Sequence, residues 1–198
     1  NNPDADALGS SIALFSFLTK LEKKTKVILP NSPPGNLEWM INKGAVISYE
    51  KSPEKTKRHL LNSQIIFALD FNSLKRIGKL SKEIESIKTP LIMIDHHESP
   101  EKFSTLFLSN PKIGSTCEII YNIMKSINSE LIDKEIATYI YSGILTDTGS
   151  FRYPLTTGDT HNIISEIFKK GINHTKIHER IYDNFSFERA HLLDKEIK

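Results

Sequence analysis

Five carboxylates and two imidazoles in this chain have the types and spacing to do chemistry together. Asp4 and Asp6 lie two residues apart in NPDAD, Asp70 closes the apolar run QIIFALD, Asp95, His96 and His97 follow PLIMI, and Asp147 stands in GILTDTGSFRYP. If they converge on one pocket, like charges a few ångströms apart cannot all stay ionised unless a cation compensates them. Carboxylate and imidazole donors without thiolate suit Mg²⁺, Mn²⁺, Fe²⁺ or Zn²⁺. The donors outnumber what one ion needs, and two ions about 3.5–4 Å apart, sharing one carboxylate, would use them well. Each residue also has a plainer reading. Asp4 and Asp6 suit a helix N-cap, Asp70 and Asp95 suit turns at strand ends, and Asp147 suits a turn before Gly149. Two adjacent histidines directly after an apolar run have no such turn chemistry.

The elements that must position these residues follow a β-then-α rhythm. Leu8, Ile12, Phe15, Leu18 and Leu21 recur at helical spacing after Asp6, with Lys20, Lys23, Lys24 and Lys26 near the end. Val27 to Leu29 read as a short strand stopped by PNSPPGN. The runs at 64–70 and 90–95 are continuously apolar and end in aspartate, the signature of parallel strands covered on both faces. Helical patterns follow over 115–127, 134–145, 160–170 and 174–182, with a last one from Phe185 onward. The expected fold is a three-layer α/β domain with a mainly parallel sheet and a helix-rich second half. In such a fold the ligand crevice lies beyond the carboxyl ends of the strands, where Asp70 and Asp95 would sit.

With 198 residues the chain can bury a sizeable core. Its 38% hydrophobic and 25% charged residues are ordinary for a globular protein. No apolar run approaches the ~20 residues that span a bilayer. The single cysteine, Cys117, excludes an internal disulfide and a multi-cysteine zinc site and makes the cytoplasm the expected compartment. A formal charge of +2 is too small for a long nucleic-acid groove, which favours small or short phosphate-bearing ligands over duplex DNA.

NPDADALGS, the strand-end Asp70, the Asp95-His96-His97 triplet and Asp147, in this order, resemble the four motifs of the DHH phosphoesterase family, named for that triplet. STCEIIYNIM at 115–124 and GSFRYPLTT at 149–157 are most similar to the branch that degrades very short oligoribonucleotides and dephosphorylates 3′-phosphoadenosine 5′-phosphate. The resemblance implies a parallel-sheet α/β catalytic domain over 1–198 and two manganese ions, with magnesium or another divalent ion as the alternative. It implies Asp4 on one ion, Asp6 on the other, Asp70 bridging both, and His96 and Asp147 as ligands completing the second ion's coordination. His97 would face the substrate phosphate, with Asp95 orienting the histidines. A hydroxide bridging the ions would then attack phosphorus. The family's histidine ligand two residues before Asn-Pro-Asp would fall just ahead of Asn1, and its smaller second domain would follow Lys198. Both are expected to be missing from this stretch.

Other residues near the motifs carry two readings each. Gly9 and Ser10 could hold an anion through their N–H groups or simply fix the aspartate-bearing loop. Ser115 could contact phosphate, although with Thr116 it reads more simply as a helix cap. Arg152 could clamp a phosphate or make a surface ion pair. His174 and His178 stand four apart, but without the rest of a zinc motif they read as a solvated helix face. Cys117 reads as a small core residue. The expected activity is two-metal hydrolysis of short oligonucleotides or 3′-phosphoadenosine 5′-phosphate. The alternatives are a cyclic- or linear-dinucleotide phosphodiesterase, a pyrophosphatase or exopolyphosphatase, and a non-catalytic nucleotide-sensing domain. Neither a membrane nor duplex DNA is expected as a partner, and a homodimer is compatible with the resemblance.

Overall fold

Asp4 opens the first helix of the computed structural model, which describes residues 2–41 and 44–183. Its carboxylate accepts hydrogen bonds from the N–H groups of Asp6 at 3.1 Å and Ala7 at 2.9 Å, so helix α1 runs Ala5–Lys20. Ala5, Leu8, Ile12, Ala13 and Phe17 form its buried stripe. Strand β1 (Val27–Leu29) follows, then β2 (Val46–Ser48), α2 (Pro53–Leu61), β3 (Ile66–Leu69), α3 (Leu80–Ser86), β4 (Leu91–Asp95) and β5 (Leu106–Ser109). Four helices complete the described chain: α4 (Thr116–Asn128), α5 (Lys134–Asp147), α6 (Gly158–Lys169) and α7 (His174–Tyr182). Short 3-10 turns lie at Gly35–Met40, Leu74–Ile77 and Ser129–Leu131.

Every strand pairing is parallel: β1 with β2, β3 with β4, and β4 with β5. The hydrogen bonds divide the strands into a two-stranded and a three-stranded sheet. Side-chain alternation places both sheets in one layer. Val27, Leu29, Phe67, Leu69, Ile92 and Ile94 pack into the large core shared with α1, α4 and α5. Ile28, Ile66, Ala68, Leu91 and Met93 face the opposite side, where α2 and α3 supply Leu60, Leu80 and Ile84. β1, β3 and β4 are therefore covered on both faces, as the continuous hydrophobicity of β3 and β4 implies. β5 is an edge strand, and Leu106, Phe107 and Leu108 on it are exposed.

This arrangement brings the carboxyl ends of β3 and β4 together with the start of α1, the start of α4 and the end of α5. The helices expected over 115–127, 134–145, 160–170 and 174–182 form within two residues of those bounds. β2, α2, α3 and β5 carry no recognisable pattern in the sequence. α2 buries only Thr56 and Leu60, and three of the four residues of β5 are exposed, so neither shows a periodic stripe. The helix expected from Phe185 onward lies outside the described residues. Among the described residues no helix is long and apolar enough to cross a membrane.

Candidate metal centre

Asp6 sits in the first turn of α1 with no exposed surface. Its Oδ2 accepts the N–H of Thr116 at 2.7 Å and its Oδ1 the N–H of Cys117 at 2.9 Å. These are the first two amides of α4, groups that have no partner inside a helix and that favour negative charge. Close approach of α5 makes this possible. A Cβ on Gly143 would lie 2.7 Å from Asp6 Oδ1 and 3.0 Å from Asp6 Cα, so only glycine fits. Asp70 leaves the end of β3 in a left-handed conformation, φ 63°, which aspartate tolerates better than most residues. Its N–H still donates to the Ile94 carbonyl at 3.0 Å, and its Oδ1 accepts the Thr116 hydroxyl at 2.9 Å.

His96 occupies the middle of this acidic group. Its Nε2 lies 3.1 Å from Asp147 Oδ2, 3.6 Å from Asp70 Oδ1 and 3.9 Å from Asp6 Oδ2, yet it is buried without a well-directed hydrogen bond. Its Nδ1 is 3.3 Å from the Ile113 carbonyl, which can only accept, so in the neutral ring Nδ1 carries the proton and the Nε2 lone pair faces the carboxylates. The same logic fixes His97. Its Nδ1 is 2.7 Å from Asp95 Oδ1, while its Nε2 is 3.0 Å from Arg76 Nη1, a pure donor. Asp95 is fully buried and also accepts the His97 N–H through Oδ2 at 3.0 Å.

Electrostatics mark the cluster as short of positive charge. Burial, and then the Asp147 charge, push the Asp6 carboxyl up to about 6. Burial raises Asp70 well above the usual carboxylate range, with Asp6, Asp4 and Asp147 adding to it. Burial alone would lower His96, but Asp147 and Asp6 beside it outweigh that and raise it. Two donor sets lie within reach of one ion each: Asp6, His96 and Asp147, and Asp70, His96 and His97. Asp4 falls outside both sets and is exposed, with its Oδ1 engaged as the α1 cap. Hard, mostly anionic oxygen and imidazole donors around a buried, unsatisfied nitrogen fit a divalent cation.

The remaining expected residues serve mainly as scaffold. Gly9 and Ser10 lie in the second turn of α1 rather than at its start, so their N–H groups belong to the helix ladder and not to an anion site. A Cβ on Gly9 would meet the Tyr139 carbonyl at 2.5 Å, and the Ser10 hydroxyl donates to the Asp6 carbonyl at 2.7 Å. Both therefore fix the aspartate-bearing segment. Ser115 is fully buried and caps α4 by accepting the Glu118 N–H at 3.2 Å. Arg152 is exposed, and its Nε donates to the Gly149 carbonyl at 2.7 Å. Cys117 is buried in the core, as expected, with its Sγ 3.6 Å from the Asp6 carbonyl. His178 lies half-buried against Tyr141 and Tyr182, and His174 meets Phe168 edge-on, so aromatic packing rather than solvent alone surrounds the pair. Sequence reasoning missed Arg76 and Gly143, and read Thr116 only as part of a helix cap. The glycine in YSGILTD and the arginine six residues after the strand-end Asp70 carried the only available signals.

Residues 1–144 match the model of the DHH family, N-terminal domain. A solved structure, that of an exopolyphosphatase-related protein from Bacteroides fragilis, superposes over 98% of this chain and 57% of its own with a TM-score of 0.93 and 36% identity. A probable bifunctional oligoribonuclease and PAP phosphatase from Streptococcus mutans is 30% identical over 96% of this chain and 56% of its own length. A probable manganese-dependent inorganic pyrophosphatase from the same organism is 23% identical over 85% of this chain and 52% of its own length. The chain spans about half the length of the curated relatives it matches.

Proposed function

The chain belongs to the DHH family, and on that premise we propose that its acidic cluster holds two divalent metal ions, manganese first among them, and hydrolyses phosphate esters of short oligonucleotides or of 3′-phosphoadenosine 5′-phosphate. One observation carries the metal reading: His96 Nε2 is buried and unsatisfied among Asp6, Asp70 and Asp147. The relatives support the rest. One is named for oligoribonuclease and PAP phosphatase activity, another for manganese.

In this reading Asp4, Asp6, Asp70, His96 and Asp147 are the ligands. When bound, such a pair of ions supplies an acidified water and neutralises charge on a phosphoryl group. The α4 amides fix the Asp6 carboxylate in place, and Ile113 fixes the His96 tautomer with Nε2 free to ligate. His97, held by Asp95 through Nδ1, turns Nε2 toward Arg76 at the same edge, where a phosphate oxygen would replace or share that contact. Arg152 is a further candidate phosphate contact from the turn after α5. The setting we propose is the cytoplasm, in keeping with a lone buried thiol.

The decisive assay uses the full natural protein loaded with manganese. It offers di- to tetranucleotides, 3′-phosphoadenosine 5′-phosphate and pyrophosphate, and follows release of mononucleotide or phosphate. Turnover of the nucleotide substrates that disappears in Asp70→Ala is the expected result. Activity on pyrophosphate alone moves the protein to the other branch of relatives, and binding without turnover makes it a sensor.

A further inference from the structure

Thr116 is the one described residue bonded to both buried carboxylates of the proposed centre. Its N–H donates to Asp6 Oδ2 at 2.7 Å, and its hydroxyl donates to Asp70 Oδ1 at 2.9 Å. Neither bond can be exchanged with water, because Thr116 and Asp6 have no exposed surface and Asp70 is 8% exposed. The neighbouring Ser115 already caps α4, so the Thr116 hydroxyl is not needed for the helix and is spent on a residue 46 positions away. Two consecutive hydroxyl side chains thus divide two tasks that the sequence presents as one cap.

We propose that Thr116 is a positioning residue for the metal centre, its hydroxyl setting the plane of the Asp70 carboxylate relative to Asp6. Both carboxylates hang from one rigid point, the first turn of α4, although they arrive from a helix and a strand far apart in the chain. An Asp70 free to rotate about its side-chain bonds, at the end of a strand and in a left-handed backbone conformation, would present its oxygens in several orientations. A buried hydrogen bond from the Thr116 hydroxyl removes that freedom before any ion arrives. The inference rests on the reading of this cluster as a metal site.

The test is manganese binding by titration calorimetry to the full protein and to its Thr116→Ser and Thr116→Val variants, with thermal melting of each in chelator. Serine keeps the donor, and valine keeps the shape without it. The serine variant is expected to bind within about twofold of wild type, and the valine variant about tenfold or more weakly, the loss of one hydrogen bond to a carboxylate. Equal binding by the valine variant, or equal damage in both, overturns the inference. So does a valine variant that fails to fold in chelator while the serine variant folds, since the hydroxyl would then be holding the fold rather than the site. Wild-type protein that binds no manganese sinks the metal reading itself, a result distinct from any of these.

Discussion

Without metal, the protein should lose stability as pH rises from about 4 to 8. The Asp6 carboxyl is pushed from 3.8 to about 6 in the folded chain, so the folded state binds that proton more tightly than the unfolded state does. The stability this confers is full below the unfolded value and is lost as pH rises through the folded one. A rise from 3.8 to about 6 corresponds to about 3 kcal/mol. Asp70, raised in the same direction by burial and its acidic neighbours, adds to the loss. His96 has the same sign, because its raised folded value stabilises the protein below the unfolded value and that share disappears as pH rises through the folded one. Asp133 and Glu166, lowered by their hydrogen bonds and lysine partners, act oppositely, but in the acid window as pH falls through their depressed values. For a chain of this size about 3 kcal/mol is worth roughly 6–12 °C in melting temperature. The assay is thermal unfolding in chelator across that pH range, repeated with manganese. At 100 times its dissociation constant the metal should restore about 2.7 kcal/mol at pH 8. It should restore less at pH 5, where protons compete for the same carboxylates. A melting temperature that climbs from pH 4 to 8 in chelator, or a manganese effect equal at both ends, would refute the reasoning.

Two substitutions probe the surroundings of the cluster. Gly143→Ala places a methyl group against Asp6 and Cys117, and should cost about 1–3 kcal/mol in urea denaturation and weaken manganese binding. Gly158→Ala, with nothing within 4 Å of the new Cβ, is the control expected to change neither. Arg76→Ala removes the donor facing His97 Nε2 and should lower kcat/KM on the active substrate several-fold with manganese affinity unchanged. Wild-type kcat/KM in that variant would remove Arg76 from the substrate side of the site.

Much of the candidate site is legible in the chain because it depends on residue type and on where apolar runs stop. Asp70 and Asp95 are readable as strand ends, since strands covered on both faces are continuously apolar and an aspartate breaks the run. Helices α4 to α6 are readable from the periodic apolar stripe each buries, and α7 from Ile177 and Ile181 four apart. The short elements are not. β2 and β5 pair through backbone groups that every residue carries, and α2 buries too little to leave a pattern. Gly9 and Ser10 look equally available to a ligand or a scaffold until packing covers them.

By itself, then, the sequence determines the donor chemistry: carboxylates and imidazoles, no thiolate cluster, on a parallel α/β frame. Tertiary structure decides which of these donors meet. The Thr116 and Cys117 amides hold Asp6 across 110 and 111 positions, and Arg76 reaches His97 across 21. Amide donors are common to all residues and carry no sequence signal. Their use as ligand holders depends on where a helix begins in space, and that is settled by the packing of α1, α4 and α5 around Gly9 and Gly143.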